Sequence, residues 1–387
     1  MKLNNYYKYS PLIFLFLLCL QSCQEKAVPL FPPEDNPGTG TIEYKWELTA
    51  DSLQDKTYTA YLSTNGKYFN QDNQGNATFH YWRNAHVMDI FVDGYVRTNQ
   101  NFYKTRMENL LRGMLETNGN TLSINFYDDM DWLALSSLRA YQATNEQGYL
   151  DAVNYLWNDI KTGINDIMGG GVAWRKTQRH YKNTPATAPA IILAARLYQL
   201  NKNIADLNTA KDLYTWQKAT LVEPQSGIVW DGINSNNDGQ LDKRKFTYNQ
   251  GIYMGAGLEL YKATGEVSYL NDAIKTANAT MTDLELAPAG YLRGEGQGDG
   301  GLFKGILVRY MTLLALENAV SKADKDKIIA FLQTNAQTLY VKGIGRPGLF
   351  ISPDWQQKPG ATIDLSTQLS GVMMIEAAAL LNKNSLL

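Results

Sequence analysis

Tyr141-Gln-Ala-Thr144-Asn145-Glu-Gln-Gly-Tyr149-Leu150 recurs further along the chain as Tyr261-Lys-Ala-Thr264-Gly265-Glu-Val-Ser-Tyr269-Leu270. Looser copies read Tyr95-x-x-Thr98-Asn99 followed by Tyr103, and Tyr198-x-x-Asn201 followed by Asp206-Leu207. The spacing predicts a helical hairpin. One helix ends on a polar residue or glycine that tolerates a left-handed cap, and a second starts a few residues later. Apolar residues at three- and four-residue intervals predict helices over 84–97, 103–117, 130–143, 148–162, 186–200 and 204–219. The same pattern covers 250–263, 268–281, 302–319, 325–340 and 364–382. The pair 302–319 with 325–340 forms a hairpin without the signature. The last helix lacks a following partner, and an N-terminal helix around 46–63 would supply it. Six pairs predict an all-α fold, a closed barrel of inner and outer helices. Short extended pieces are expected near 170–175, 226–231 and 347–353, where glycine and aromatic residues cluster.

The ends of the chain read differently. Lys2 and Lys8 precede a short apolar run, Pro11 to Leu20, and then Leu20-Gln21-Ser22-Cys23. This resembles a bacterial lipobox, in which Cys23 carries the lipid anchor of the mature chain. Residues 1–22 are therefore expected to be a lipoprotein signal peptide. Residues 23–41, rich in proline, glycine and charge, are expected to be a flexible tether, and 42–387 the folded domain. Cys19, the one other cysteine, lies in the segment that would be removed, which leaves no pair to form a disulfide. Attachment to the bacterial envelope follows, at the outer membrane or cell surface. With 36 basic and 38 acidic residues and no basic block, nucleic acid is excluded as a partner. The expected state is a monomer.

Each inner helix is opened by a polar and aromatic cluster. In order these are His80-Tyr81-Trp82 with His86, Tyr127-Asp128-Asp129, Tyr181-Lys182-Asn183, Tyr248-Asn249-Gln250, Asp299 with Phe303-Lys304, and Asp364 with Ser366 and Gln368. If the six helices run the same way, the clusters meet at one rim. The adjacent pair Asp128–Asp129 then stands out, because neighbouring carboxylates resist joint ionisation. Glycoside hydrolysis uses that split, with one carboxylate as nucleophile or base and one carboxylic acid as proton donor. The plainer reading makes Asp128 a helix N-cap with Asp131 as its capping partner. Convergence of six clusters favours the active site.

Taken in order and spacing, several segments resemble glycoside hydrolase family 76, the bacterial endo-α-1,6-mannanases. They are Tyr81-Trp82 with Ala85-His86, Asn125-Phe126-Tyr127-Asp128-Asp129, Gly169-Gly170-Gly171-Val172-Ala173-Trp174, Tyr181-Lys182-Asn183, Thr247-Tyr248-Asn249-Gln250-Gly251 and Phe303-Lys304-Gly305. The resemblance spans roughly residues 50–380. It implies an (α/α)6 barrel and a retaining mechanism through a covalent glycosyl-enzyme, with Asp128 as nucleophile and Asp129 as general acid/base. The implied substrate is α-1,6-mannan or its manno-oligosaccharides. Trp174, Lys182, Asn183, Asp231 and Gln250 are the candidate substrate contacts.

No metal or other cofactor is expected. Asn234-x-Asn236-x-Asp238-Gly239 opens like a calcium loop, but Lys245 stands where a closing Glu is needed, so a polar turn is the reading. Gly169–Gly171 lacks the Lys-Ser/Thr of a phosphate cradle and is read as a cleft wall. Three histidines, His80, His86 and His180, are too scattered for zinc. Two alternatives share these residues: a transglycosylase on the same site, and a catalytically idle surface mannan-binding lipoprotein.

Overall fold

A computed structural model describes residues 42–387. The expected leader, Cys23 and the tether lie outside the described residues. Twelve α-helices occur among the described residues: α1 Trp46–Tyr61, α2 Tyr81–Thr98, α3 Asn101–Thr117, α4 Tyr127–Thr144, α5 Gln147–Ile160 and α6 Thr184–Asn201, then α7 Ile204–Leu221, α8 Thr247–Thr264, α9 Val267–Thr282, α10 Gly300–Leu316, α11 Lys322–Thr338 and α12 Leu365–Lys383.

The repeated tyrosine signature is the wiring of the helix turns. Tyr95, Tyr141, Tyr198 and Tyr261 each accept, through the backbone carbonyl, the N–H of the residue capping the helix. Those caps, Asn99, Asn145, Lys202 and Gly265, all lie in the left-handed region. The sequence places the third cap one residue early, at Asn201. The threonine before the cap joins the two helices. Thr144 Oγ1 donates to the Ala140 carbonyl and accepts from the Glu146 N–H; Thr98 and Thr264 repeat the pattern. The second tyrosine closes the first turn of the next helix, as Tyr149 N–H does on the Glu146 carbonyl.

Helices α2, α4, α6, α8, α10 and α12 pack side by side in that order, and α12 returns to α2. They are the inner ring of an (α/α)6 barrel. α3, α5, α7, α9 and α11 each pack on the inner helix before them, and α1 packs on α12. The chain therefore closes its ring with its first described helix, as the sequence predicts. Inner helices such as α6, α8 and α12 bury residues on nearly every face, while α5 buries a single stripe. That is the burial expected of a helix enclosed on all sides and of one with a solvent face. Among the described residues no helix is long and apolar enough to cross a membrane.

The rim carries the strands. β1 Ala173–Arg175, β2 Gln178–Asn183, β3 Gly232–Ile233 and β4 Leu241–Asp242 form one antiparallel sheet in that order. β5 Ile344–Gly345 and β6 Phe350–Ile351 form a hairpin. The extended piece expected at 226–231 runs beside 221–223: Val229 bridges Val222, the Ile228 carbonyl accepts from the Glu223 N–H, and the Trp230 N–H donates to the Leu221 carbonyl. On its other edge the Gln250 amide takes both the N–H and the carbonyl of Val229 at 2.8 Å. β2 carries little apolar residue alternation, so periodicity does not mark it.

Candidate active site

Asp128 and Asp129 occupy the first turn of α4, and the N-cap is Phe126, with no side-chain cap. The capping-box reading therefore fails: Asp128 lies inside the helix, and both oxygens of Asp131 are buried with no hydrogen-bond partner. The two adjacent carboxyls, Asp128 and Asp129, differ in their surroundings. Asp128 Oδ2 accepts from the indole N–H of Trp174 at 3.0 Å, and its Oδ1 accepts from the Asp129 backbone N–H at 3.0 Å. The Asp129 carboxyl has no hydrogen-bond partner among the described residues.

That difference sets their proton affinities. Burial pushes the Asp128 carboxyl up to about 7, against the two hydrogen bonds, which favour its charged form. The helix-start dipole, worth ~0.3–1 kcal/mol, does not offset the burial. Asp129 is driven well above the carboxylate range, by burial first and then by the charges of Asp128 and Asp299. Of the two, Asp128 ionises first and Asp129 keeps its proton.

The clusters on the other inner helices reach the same place. Asp299, just before α10, accepts from Trp82 Nε1 at 3.2 Å and from Arg83 Nη2 at 3.2 Å, both on α2. Arg83 also faces Asp364, which opens α12, at 3.9 Å. Trp174 sits edge-on to both Phe126 and Tyr181. Tyr248 of α8 stacks parallel on Phe303 of α10, with ring centroids 3.9 Å apart. The Tyr248 hydroxyl feels the charges of Asp231, Asp128 and Asp299. Aromatic faces and carboxylates thus share one rim.

The five expected substrate contacts divide. Trp174 is partly exposed and joined to Asp128. Asp231 accepts from the Tyr181 hydroxyl and from Asn249 Nδ2, each at 3.1 Å, with Arg244 at 3.5 Å. It is nearly buried at 6% exposure, and burial raises its pKa.

The other three correct the expectation. Asn183 caps α6, its side-chain oxygen accepting from the Ala186 N–H. Lys182 is fully buried and donates to the carbonyls of Gly171 and Asn165 at 2.9 and 3.3 Å. Burial lowers its pKa to about 7. Gln250, also fully buried, is spent on Val229. These side chains pin rim loops instead of facing the opening. Gln368 does the same for Ile351 and Leu349, and Lys304 for the Pro353 carbonyl. The glycine run is corrected as well. Gly170 and Gly171 have positive φ, and a Cβ at either would strike the Trp216 ring, so the close neighbour is tryptophan.

Asp299, Trp82 and Tyr248 stand in the polar and aromatic clusters but not among the expected site residues, and Arg83 and Arg244 stand in neither. Asp299 had a signal: it sits in the glycine-rich run Gly294–Gly301 directly ahead of a helix. Arg83 had none, being one arginine within an apolar helix. The polar turn expected at 234–245 contains the loop 234–240 of the β3–β4 hairpin and then β4 itself. Asn234 accepts from the Gly239 N–H at 2.7 Å and donates to the His180 carbonyl at 3.0 Å, so its side chain is occupied by the turn.

A barrel of paired helices, with two adjacent carboxyls of unequal proton affinity at an aromatic rim, defines a helical-barrel glycosidase. The chain belongs to glycosyl hydrolase family 76, whose sequence model matches residues 45–387. It is similar to the α-1,6-mannanase GH76A of Salegentibacter sp. HEL1_6, with 46% identity and a TM-score of 0.84 over 87% of this chain and 99% of that one. An inactive variant of that enzyme, with two consecutive aspartates changed to asparagine, was solved with α-1,6-mannotriose. It is 45% identical, with a TM-score of 0.84 over the same shares of the two chains. Mannan endo-1,6-alpha-mannosidase DFG5 of Saccharomyces cerevisiae is 25% identical over 247 residues, 59% of this chain and 53% of that protein. The chain spans about half the length of the curated relatives it matches.

Proposed function

We propose that this protein is an endo-acting α-1,6-mannanase that works with retention. The observation that carries the reading is the unequal pair on α4: Asp128 held by two donors, Asp129 by none. Asp128 attacks the anomeric carbon while Asp129 gives its proton to the departing glycosidic oxygen, and the C–O bond breaks. Asp129, now a carboxylate, takes a proton from water. That water attacks the same carbon and frees Asp128, so two displacements leave the anomeric configuration unchanged. The Trp174 N–H keeps Asp128 oriented and favours its ionised form. Tyr248, Phe303 and Trp174 offer apolar ring faces to the sugar, and Asp231 and Asp299 offer acceptors to its hydroxyls.

The relatives support the substrate: the Salegentibacter enzyme is an α-1,6-mannanase, and its inactive variant was solved with α-1,6-mannotriose. Lipidation at Cys23 belongs to the same proposal, and would hold the barrel at the envelope where polymer arrives. Incubation with unbranched α-1,6-mannan, followed by chromatography over time, tests the activity. A ladder of intermediate oligosaccharides appearing before mannose is the expected result. Release of mannose alone, or no cleavage, would contradict it.

A further inference from the structure

A second feature lies on the outer wall of the barrel. Helices α3 and α5 leave between them a groove of about 680 Å³. Its rim end is formed by Thr121 and Leu122, in the loop that leads into α4, and the Leu122 carbonyl accepts from the hydroxyl of Tyr81 at 2.7 Å. The groove therefore abuts the segment that carries Asp128, without being part of the cleft.

Its lining is mixed in a telling way. Tyr155 is half exposed, and its hydroxyl meets Thr121 Oγ1 at 3.0 Å, which fixes the ring. Glu108, Glu146 and Asp151 are exposed along the groove, and none forms an ion pair among the described residues, though one Asp151 oxygen accepts from Gln147 Nε2 at 2.9 Å. Tyr149 also lines it. This residue is only 3% exposed, and its hydroxyl has no hydrogen-bond partner. The carboxylates of Glu108 and Glu146 lie close enough to raise its pKa, after burial. A buried hydroxyl is normally satisfied.

We propose that the α3–α5 groove is a secondary binding site for a neutral polysaccharide, holding a stretch of the mannan chain while another stretch occupies the cleft. The chemistry selects that ligand. An exposed, fixed aromatic ring accepts the apolar C–H face of a sugar ring. Carboxylates free of ion pairs accept hydroxyl protons, and the Tyr149 hydroxyl can donate or accept. Three carboxylates against the one arginine, Arg112, disfavour anionic ligands, and the mixture of ring and polar groups is that of a small-molecule site. Linking the two sites through one polymer raises the effective concentration of substrate at the cleft. The inference rests on the mannan reading above.

The test uses the full chain. Tyr155→Ala removes the platform at an exposed position, and Tyr149→Phe removes only the hydroxyl. Retardation by α-1,6-mannan in a native affinity gel is measured with Asp129→Asn as the background, so that the polymer is not consumed. Both groove substitutions should weaken retention, Tyr155→Ala by about tenfold. In the active enzyme, KM should rise on polymer while kcat/KM on mannotriose stays unchanged. Unchanged retention in both variants, with mannan still cleaved, overturns the groove alone. A chain that neither cleaves nor binds mannan overturns the parent reading, and the groove proposal with it.

Discussion

Two adjacent aspartates are chemically identical in sequence and different in place. The Trp174 indole and a backbone N–H favour the charge on Asp128, while the charges of Asp128 and Asp299 oppose it on Asp129. In the proposed mechanism the form with one proton on the pair is the active one, and the pair titrates as a unit. Activity should rise as pH passes about 7, where Asp128 ionises, and fall at the higher pH where Asp129 loses its proton. Asp299→Asn removes a charge that raises both values, so both limbs of the kcat/KM profile should move to lower pH. Limbs that stay in place would show that Asp299 does not act on the pair. Asp131 supplies a separate case. Burial drives its pKa well above the ordinary value, so in the fold it stays protonated where the unfolded chain ionises. Its raised pKa costs nothing below the unfolded value of about 4, and stability is lost as pH rises above it. Asp131→Asn should therefore raise Tm at pH 7 and leave it nearly unchanged at pH 4. Equal shifts at both pH values would contradict the buried-acid account.

The helices were legible because their information is local. A tyrosine carbonyl, a threonine hydroxyl and a left-handed cap are all set within a few residues, and the pattern repeats. The rim loops were not legible, because their backbone groups are satisfied from far away. Val229 has its N–H and carbonyl taken by Gln250, and Ile351 has its N–H taken by Gln368. Polar residues at an active rim therefore looked alike in sequence, whether they face sugar or hold a loop. Lys182, Asn183 and Gln250 belong to the second kind. Gln250→Leu strands two buried backbone groups at ~1–3 kcal/mol each, and should lower stability by about 2–6 kcal/mol. The denaturant midpoint should fall with the slope unchanged, while KM for short manno-oligosaccharides at low temperature should hardly move. A large KM rise without loss of stability would return Gln250 to the substrate.

For the molecule as a whole, closure of the ring was readable from counting: eleven segments and an unpaired last helix call for a twelfth at the start, and α1 packs on α12. Closure aligns the six inner N-termini, which brings residues as distant in sequence as Trp82 and Asp299 into one site. No local pattern announces that pair. The proposed anchor acts on location alone, since a lipid chain supplies only apolar attachment at ~0.8 kcal/mol per buried CH2. Cys23→Ala should move the protein from membrane to soluble fraction with its specific activity intact, and a mutant that fractionates as before would refute lipidation. The proposed division of labour between Asp128 and Asp129 is read out by trapping the covalent intermediate. Asp129→Asn should lose about 10²–10⁴ in rate on mannan. With an activated aryl mannoside, whose leaving group needs little protonation, it should still form the glycosyl-enzyme and then stall. Mass spectrometry of the digested protein should find one added mannosyl group, on the peptide containing Asp128. A label on any other residue, or none alongside a product of inverted configuration, would contradict the account.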